Sequence, residues 1–513
     1  DDTYNHLTAA RFGKGATLLL QHVSSEMMPE RIGKKAKYGF PRRTVVSEPL
    51  HIDHNKEAHP LADFSIYWQY DSVARDKQLR AHTNLKWGSL IEEKVVKRIE
   101  GYIGNLVQLI RNKVVLNGGD LSLTRIIWFY PTSMSDGRLS QFERIWTDQI
   151  DKYIGKCGDI VKLPESVAPF YFFRNNNGVV AGDKPVINID IGGGTTDVVV
   201  YRKESIVSYT SFKFAGNTLF GDGYNNRPVT NGFVQFFEQK HRPILRDTIL
   251  SRYLPAIDTI DRSEEFVTAL FGLEHHPDRG EISFSFTQKL YESEELKIVP
   301  LLFICSILYH VARYQKAQQG QIPRYITFSG TASKMLRMLD ISRKLVSMSK
   351  VANQIFNDVF ESSEANIELV AADGPKEVTA KGGLNNPDIP KMPKSVWFGV
   401  EEALGKRTLT YRDASEEKTR EAILKEVSTF IDLFFSWSTR IDFNNEFGIS
   451  TRRFAEFKKI LRTDLDTFLV EGIYELKEEM NRQEDGEIKE TLFFMPLKGV
   501  LNKLAFCIID NNN

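Results

Sequence analysis

One stretch of this chain has residue types and spacing that could do chemistry: Val186 to Tyr201, VINIDIGGGTTDVVVY. Gly192, Gly193 and Gly194 stand between mostly apolar runs and are followed by Thr195 and Thr196. Glycine lacks a Cβ, so such a turn can take positive φ and bring backbone N–H groups against a bulky anion. The two threonines add hydroxyl donors. Asp190 and Asp197 bracket the turn. Carboxylates beside a phosphate site suit a magnesium ion and the orientation of water. The flanking apolar runs predict two strands joined by a tight turn. A glycine turn alone fits an ordinary hairpin. The whole string Asp-x-Gly-Gly-Gly-Thr-Thr-Asp is far more specific.

The elements that must hold this stretch have ample chain to form. A length of 513 residues predicts two to four domains with sizeable cores. Apolar residues at 42% and charged residues at 26% are ordinary for a globular protein in water. Basic and acidic residues balance at 67 each, which argues against non-specific binding to nucleic acid or an anionic membrane. Cys157, Cys305 and Cys507 have no metal-ligand spacing and suit a reducing, cytoplasmic compartment. No signal-peptide pattern is found. The first residue is Asp, which fits a fragment or a processed form. The longest apolar run, Ile298 to Leu308, is too short to span a bilayer and predicts a buried helix.

In chain order, apolar residues at 91, 95, 96, 99, 103, 106, 107 and 110 recur at helical spacing. Arg125 to Tyr130 predicts a buried strand, and Leu139 to Ile154 a second amphipathic helix. Arg174 to Asp183 is a polar loop that marks a lobe boundary. Ser208 to Phe214 predicts a strand running into Ala215 to Asp222, a glycine-containing element. Pro300 to Ala317 predicts a buried helix. Tyr325 to Phe328 predicts a strand that leads into Ser329 to Ser333 and a helix to Leu339. Prolines and asparagines over 385–395 predict a linker, and helical periodicity dominates from Ser395 to Asn513. Residues 225–290 carry no motif. Phe12 to Thr17 lacks the spacing of a phosphate loop. His51, Asp53, His54 and His59, and the pair His275-His276, read as solvated loops rather than metal ligands.

The glycine stretch resembles the second phosphate motif of the actin, heat-shock chaperone and sugar-kinase ATPase superfamily. It is most similar to the 70-kDa heat-shock chaperones and to the bacterial actin-like proteins FtsA and MreB. Further stretches resemble the family's elements in the family's order. Leu163 to Pro169 is similar to the first connecting motif, where a Glu opens a helix that crosses between lobes. The resemblance gives Glu165 the role of ordering the attacking water; a Glu favoured by the helix macrodipole is the alternative. Gly216 and Asn217 fall in an element similar to one beside the nucleotide ribose. Ser329, Gly330 and Thr331 resemble the adenosine motif, with Ser329 in place of the usual first glycine. Pro375 to Gly383 resembles the second connecting motif, whose Ala380, Gly382 and Gly383 would let a second crossing helix pack closely on the first.

The resemblance covers roughly residues 40–390. It implies an α/β, two-lobed actin-like ATPase fold of duplicated ribonuclease-H-like domains, with a helical C-terminal addition. The first lobe would take 1–182 and the second 183–375. A connecting helix and linker would take 376–394. A mainly helical region over 395–513 would return in part to the first lobe. It also implies ATP or ADP with Mg2+ as ligands. Asp190 would act on the metal through water, and Asp197 would polarise the attacking water. Gly192, Gly193, Gly194, Thr195 and Thr196 would hold the phosphates, and Ser329 to Thr331 would face the adenosine. The implied function is an ATP-hydrolysing chaperone-like or actin-like switch with an unknown protein partner or self-association. The Asp-x-Gly-Thr hairpin that opens the superfamily is not found. Phe40 to Ser47 resembles the strand that follows it, so the hairpin falls upstream of that strand or is lost. A filament-forming protein, a nucleotide-binding pseudo-ATPase and a small-molecule kinase stay open as alternatives.

Overall fold

The computed structural model describes residues 42–48, 61–65 and 80–82, and most of 90–510 apart from 132–133, 221–226, 275–284, 386–392, 394–408, 480–484 and a few single or paired positions. Phe12 to Thr17, the histidine cluster at 51–59, His275-His276 and most of the expected linker lie outside the described residues.

The chain forms two compact units. The first takes the described residues of Asp1–Leu163, Ile244–Ile260 and Thr268–Phe284. Strands β1 (Arg42–Glu48), β2 (Leu61–Ser65) and β3 (Arg80–His82) form an antiparallel sheet in the order β2-β1-β3. Helix α1 (Glu93–Leu116), strand β4 (Ile126–Tyr130), helix α2 (Asp136–Tyr153) and strand β5 (Ile160–Pro164) follow. The two expected helices meet through their apolar stripes. Ile99, Ile103 and Val107 of α1 join Phe142, Ile145 and Ile150 of α2 over Ile126 and Trp128. Trp128 stacks on Trp146 with ring centroids 5.9 Å apart.

The second unit takes Pro164–Pro243, Asp261–Val267 and Ser285–Asn513. It therefore begins well before the expected boundary at 182/183. The reason is helix α3 (Ala168–Asn177), which belongs to this unit's core. The polar run from Arg174 is the end of α3 and the loop after it, and Gly178 closes the helix with φ 66°.

The unit is built on a five-stranded sheet in the order β10-β9-β6-β7-β8. These strands are β6 (Val186–Ile191), β7 (Thr196–Arg202), β8 (Ser205–Phe212), β9 (Tyr325–Ser329) and β10 (Glu368–Ala371). β6, β7 and β8 are an antiparallel meander; β9 runs parallel to β6, and β10 parallel to β9. The helices around the sheet include α4 (Gly216–Phe220), α5 (Gly232–Lys240), α6 (Ile298–Ala317), α7 (Val346–Phe360), α8 (Val378–Asn385), α9 (Glu417–Arg440), α10 (Thr451–Leu461), α11 (Leu465–Glu479) and α12 (Phe494–Asp510).

One sheet face is covered by α3. Tyr201 Oη donates to Val167 O at 2.8 Å, and Phe170 stacks on Tyr201 at 4.0 Å. Helix α8 lies on α3, and a Cβ on Gly382 would collide with Ala168 O. The other face packs on α6, where His310 meets the Phe212 ring at 5.2 Å. Helix α6 is long and apolar enough to cross a membrane by length and composition. In this fold 94% of its most apolar window is buried, and it is the core helix the sequence predicts. The C-terminal helices differ from expectation. The described residues of 409–510 belong to this unit, not in part to the first. Phe494 of α12 stacks on Phe214 at 4.3 Å, and Phe430 of α9 meets Tyr309 of α6 at 5.3 Å, so aromatic packing ties them to the sheet.

Candidate functional site

The expected strand–turn–strand is present. Across the β6–β7 ladder Asp190 stands opposite Asp197, and Ile191 opposite Thr196. Gly192 N–H donates to Thr195 O at 2.9 Å and closes the turn. Two more bonds tie the turn to α4: Gly216 N–H to Gly192 O at 3.0 Å, and Asn217 N–H to Gly193 O at 2.8 Å. In a planar trans peptide the C=O of one residue and the N–H of the next point opposite ways. With the Gly192 and Gly193 carbonyls turned into α4, the N–H groups of Gly193 and Gly194 point away from it. Both glycines are exposed. Consecutive N–H groups presented this way form an anion-binding concavity.

The sheet face beside the turn changes polarity in steps of two residues, because alternate side chains share a face. The first row, Tyr325–Val186–Tyr201, is apolar and aromatic and packs into the core that contains α3. In the second row Thr327 Oγ1 donates to Asn188 Oδ1 at 2.8 Å. Asn188 Nδ2 in turn donates to Ser166 O at 3.4 Å. The third row is Ser329–Asp190–Asp197–Ser211. Ser329 Oγ donates to Asp190 Oδ2 at 2.6 Å. Half-buried Glu165 precedes Ser166, so its segment reaches the row next to Asp190.

Like charges directly opposite one another on a strand pair repel. Asp190 and Asp197 are such a pair, and Asp197 is only 6% exposed. A divalent cation with oxygen ligands would relieve that repulsion, and this donor set fits magnesium. Among the described residues no group of three or more His, Cys, Asp or Glu is arranged to hold a metal. An ion here would keep most of its water, as a magnesium ion beside phosphates does.

The turn after β9 closes the site. Gly330 has φ 79° and ψ 155°, a region almost confined to glycine. A Cβ there would collide with Ile191 O and stand 2.7 Å from Asp190 Oδ1. Gly330 thus lies against Asp190 itself. Thr331 is exposed and opens the single turn Thr331–Lys334; the helix expected from Ser333 begins at Met335. A Cβ on Gly216 would come within 2.8 Å of Ala332 Cβ, so the α4 turn and the β9 turn meet. Gly192 to Thr195, Gly216, Asn217 and Ser329 to Ala332 therefore converge around the carboxyl end of β6. The Asn217 side chain also lies beside Gly193, where an added Cβ would stand 3.1 Å from its Oδ1.

Thr196 is different. It is fully buried, and its Oγ1 donates to Phe214 O at 2.7 Å, so its hydroxyl is engaged inside the unit. Thr195, half-buried in the turn, keeps the more open position. Sequence reading missed Asn188, Thr327, Ser211 and Phe214. The signal for the first two was their period: each stands two residues before Asp190 or Ser329 on its strand.

No family model matches the chain, and no curated protein matches it. Among solved structures, the chain is similar to MreB5 of Spiroplasma citri bound to ADP, at 13% identity, over 61% of this chain and 81% of that one, with a TM-score of 0.29. The same protein bound to AMPPNP gives the same identity, coverage and TM-score. The ethanolamine utilization protein EutJ from Carboxydothermus hydrogenoformans is 14% identical over 72% of this chain and 98% of that one, with a TM-score of 0.32. The chain resembles the actin, heat-shock chaperone and sugar-kinase superfamily in its motifs.

Proposed function

We propose that the second unit binds the phosphates of ATP or ADP, with magnesium, at the Gly192–Thr195 turn, and that the protein is an ATP-hydrolysing switch of the chaperone or actin-like kind. The observation that carries this reading is the pair of outward N–H groups at Gly193 and Gly194 beside two facing carboxylates. They sit where the sheet order reverses. The chain leaves β6 toward β7 on one side and returns at β9 on the other. Ligands of open sheets bind outside the carboxyl ends of the strands at such a switch point.

The roles follow from the residues. The Gly193 and Gly194 N–H groups and the Thr195 hydroxyl would hold the β- and γ-phosphates. Magnesium, when bound, spreads the phosphate charge, and Asp190 would hold it through water. Asp197 would accept a hydrogen bond from the water that attacks the γ-phosphorus, and Glu165 would help order that water. The bond to the bridging oxygen breaks as the new oxygen–phosphorus bond forms, and ADP leaves with its charge on the phosphate. Gly216 and Asn217 hold the turn in shape, while Gly330 and Thr331 would border the adenosine.

Calorimetric titration of ADP into the full chain with magnesium tests the binding, and phosphate release from ATP tests the hydrolysis. Saturable binding is expected. Asp197→Ala should lower phosphate release by about 100-fold or more while changing ADP affinity far less, in the range for loss of a positioned base. Unchanged turnover would remove Asp197 from its role. Binding without phosphate release would make the protein a nucleotide-dependent switch that does not hydrolyse, and no binding of either nucleotide would end the reading.

A further inference from the structure

We infer that Ser329 is a positioning residue for Asp190, fixing which carboxylate oxygen faces the bound cation; this rests on the function proposed above. Ser329 is fully buried at the end of β9, in register with Asp190 across a parallel ladder. Its hydroxyl donates to Oδ2 at 2.6 Å, the short distance of a charge-assisted O–H···O bond. The other oxygen, Oδ1, lies against the bare Cα of Gly330. The carboxylate is thus gripped at Oδ2 and closely flanked at Oδ1 by consecutive residues of one strand end. The terminal torsion of an aspartate is otherwise soft, so a free carboxylate would sample a broad range of planes. Held by Ser329, it presents one oxygen in one direction before any ion arrives. The adenosine motif that Ser329 resembles has glycine at this position, which has no hydroxyl to give. The grip is therefore a property of this chain's own residues. Ser329 acts on the cation through Asp190.

The test uses the full chain with two probes. Mn2+ binding without nucleotide is read by electron paramagnetic resonance, and ADP affinity is read by calorimetry with magnesium and with chelator. Ser329→Ala removes the hydroxyl. Ser329→Cys keeps nearly the same volume but offers only a weak donor. Both should weaken Mn2+ binding about tenfold, at the low end for partners that orient a metal ligand. Both should cut the magnesium-dependent gain in ADP affinity by a similar factor, with a smaller change in ADP affinity in chelator. A merely structural role would lower both ADP affinities together, and that result would overturn the inference. So would wild-type Mn2+ affinity in the Cys variant, or no Mn2+ binding by the wild-type chain. Should Ser329→Ala fail to fold by circular dichroism, the Cys variant decides. A wild-type chain that binds Mn2+ in a Ser329-dependent way but binds no nucleotide would support the inference and refute the proposed function.

Discussion

His310 shows what a single buried residue does to this fold. It lies on α6 among the rings of Phe212, Phe493 and Phe494 and is 2% exposed. Burial, with Arg313 on the same helix adding repulsion, pushes its pKa down to about 3. His241 is shifted the same way, to about 4, by burial and then Lys289. Unfolded, both would titrate near 6.5. The folded state therefore binds fewer protons than the unfolded state as pH falls below 6.5. The stability is fully present above that pH and declines toward pH 4. His310 alone sets a loss of up to about 2 kcal/mol at pH 5. Urea unfolding of the wild type should show a falling midpoint between pH 6.5 and 4.5, and His310→Leu should flatten that slope without abolishing it. Equal slopes in the two proteins would show that His310 is not buried neutral. At this scale the sequence is legible where residue identity is the message. Asp190, Asp197 and the three glycines meet at one strand–turn–strand, as their spacing suggests. It is less legible where direction matters. Thr196 shares its ladder row with Ile191 and Phe212, on the face opposite the aspartates, so its hydroxyl turns to Phe214 O. Counting by two from Asp197 separates Thr196 from the site; residue type does not.

Between elements, close approach decides stability more than propensity does. Helices α3 and α8 pack so tightly that Gly382 has no room for a side chain over Ala168 O. Gly137, near the start of α2, is exposed and has nothing within 4 Å of a built Cβ. Alanine is favoured over glycine in helices by about 1 kcal/mol. Overpacking costs typically about 1–3 kcal/mol, and a backbone oxygen cannot swing aside as a flexible side chain can. One substitution should therefore have opposite signs at two positions. Gly137→Ala is expected to be neutral or stabilising, and Gly382→Ala destabilising by up to roughly 2 kcal/mol, the difference of those two effects. Chemical denaturation of the two variants checks this, and a stabilised Gly382→Ala would mean that the two helices are not in contact at this point. The small residues over 380–383 made that packing legible from sequence. The boundary at 182/183 was not, because polar residues at 174–177 mark the exposed end of α3 as readily as a link between domains. Nor was the part played by α4: its residues suggest a ligand turn, and only the bonds to Gly192 and Gly193 reveal a clamp on the glycine turn.

For the whole molecule, the C-terminal helices settle what counts as core. Periodicity over 417–510 shows apolar stripes but not which surface they cover. The resemblance to the superfamily does not require all of this region, so it read as an addition. Instead Phe493 and Phe494 enter the aromatic cluster of Phe212, Phe214, Phe303 and His310, directly behind the segment that holds Thr196. Glu490 also accepts the Lys213 N–H at 3.0 Å. Losing one buried Phe side chain typically costs about 3–5 kcal/mol, and a whole domain is stable by only about 5–15 kcal/mol. Ending the chain at residue 408 would remove Phe493 and Phe494 together with α9 and its buried Phe430, Ile431, Phe434 and Trp437. That loss exceeds what the second unit can spare. The shortened chain should lack a cooperative unfolding transition for the second unit and should bind no ADP. The full chain should gain about 2.7 kcal/mol with ADP at 100 times its dissociation constant. Scanning calorimetry with and without ADP separates the cases. A shortened chain that still unfolds cooperatively and is still stabilised by nucleotide would show that the β6–β7 hairpin stands without Phe493 and Phe494, and that the C-terminal helices are an appendage after all.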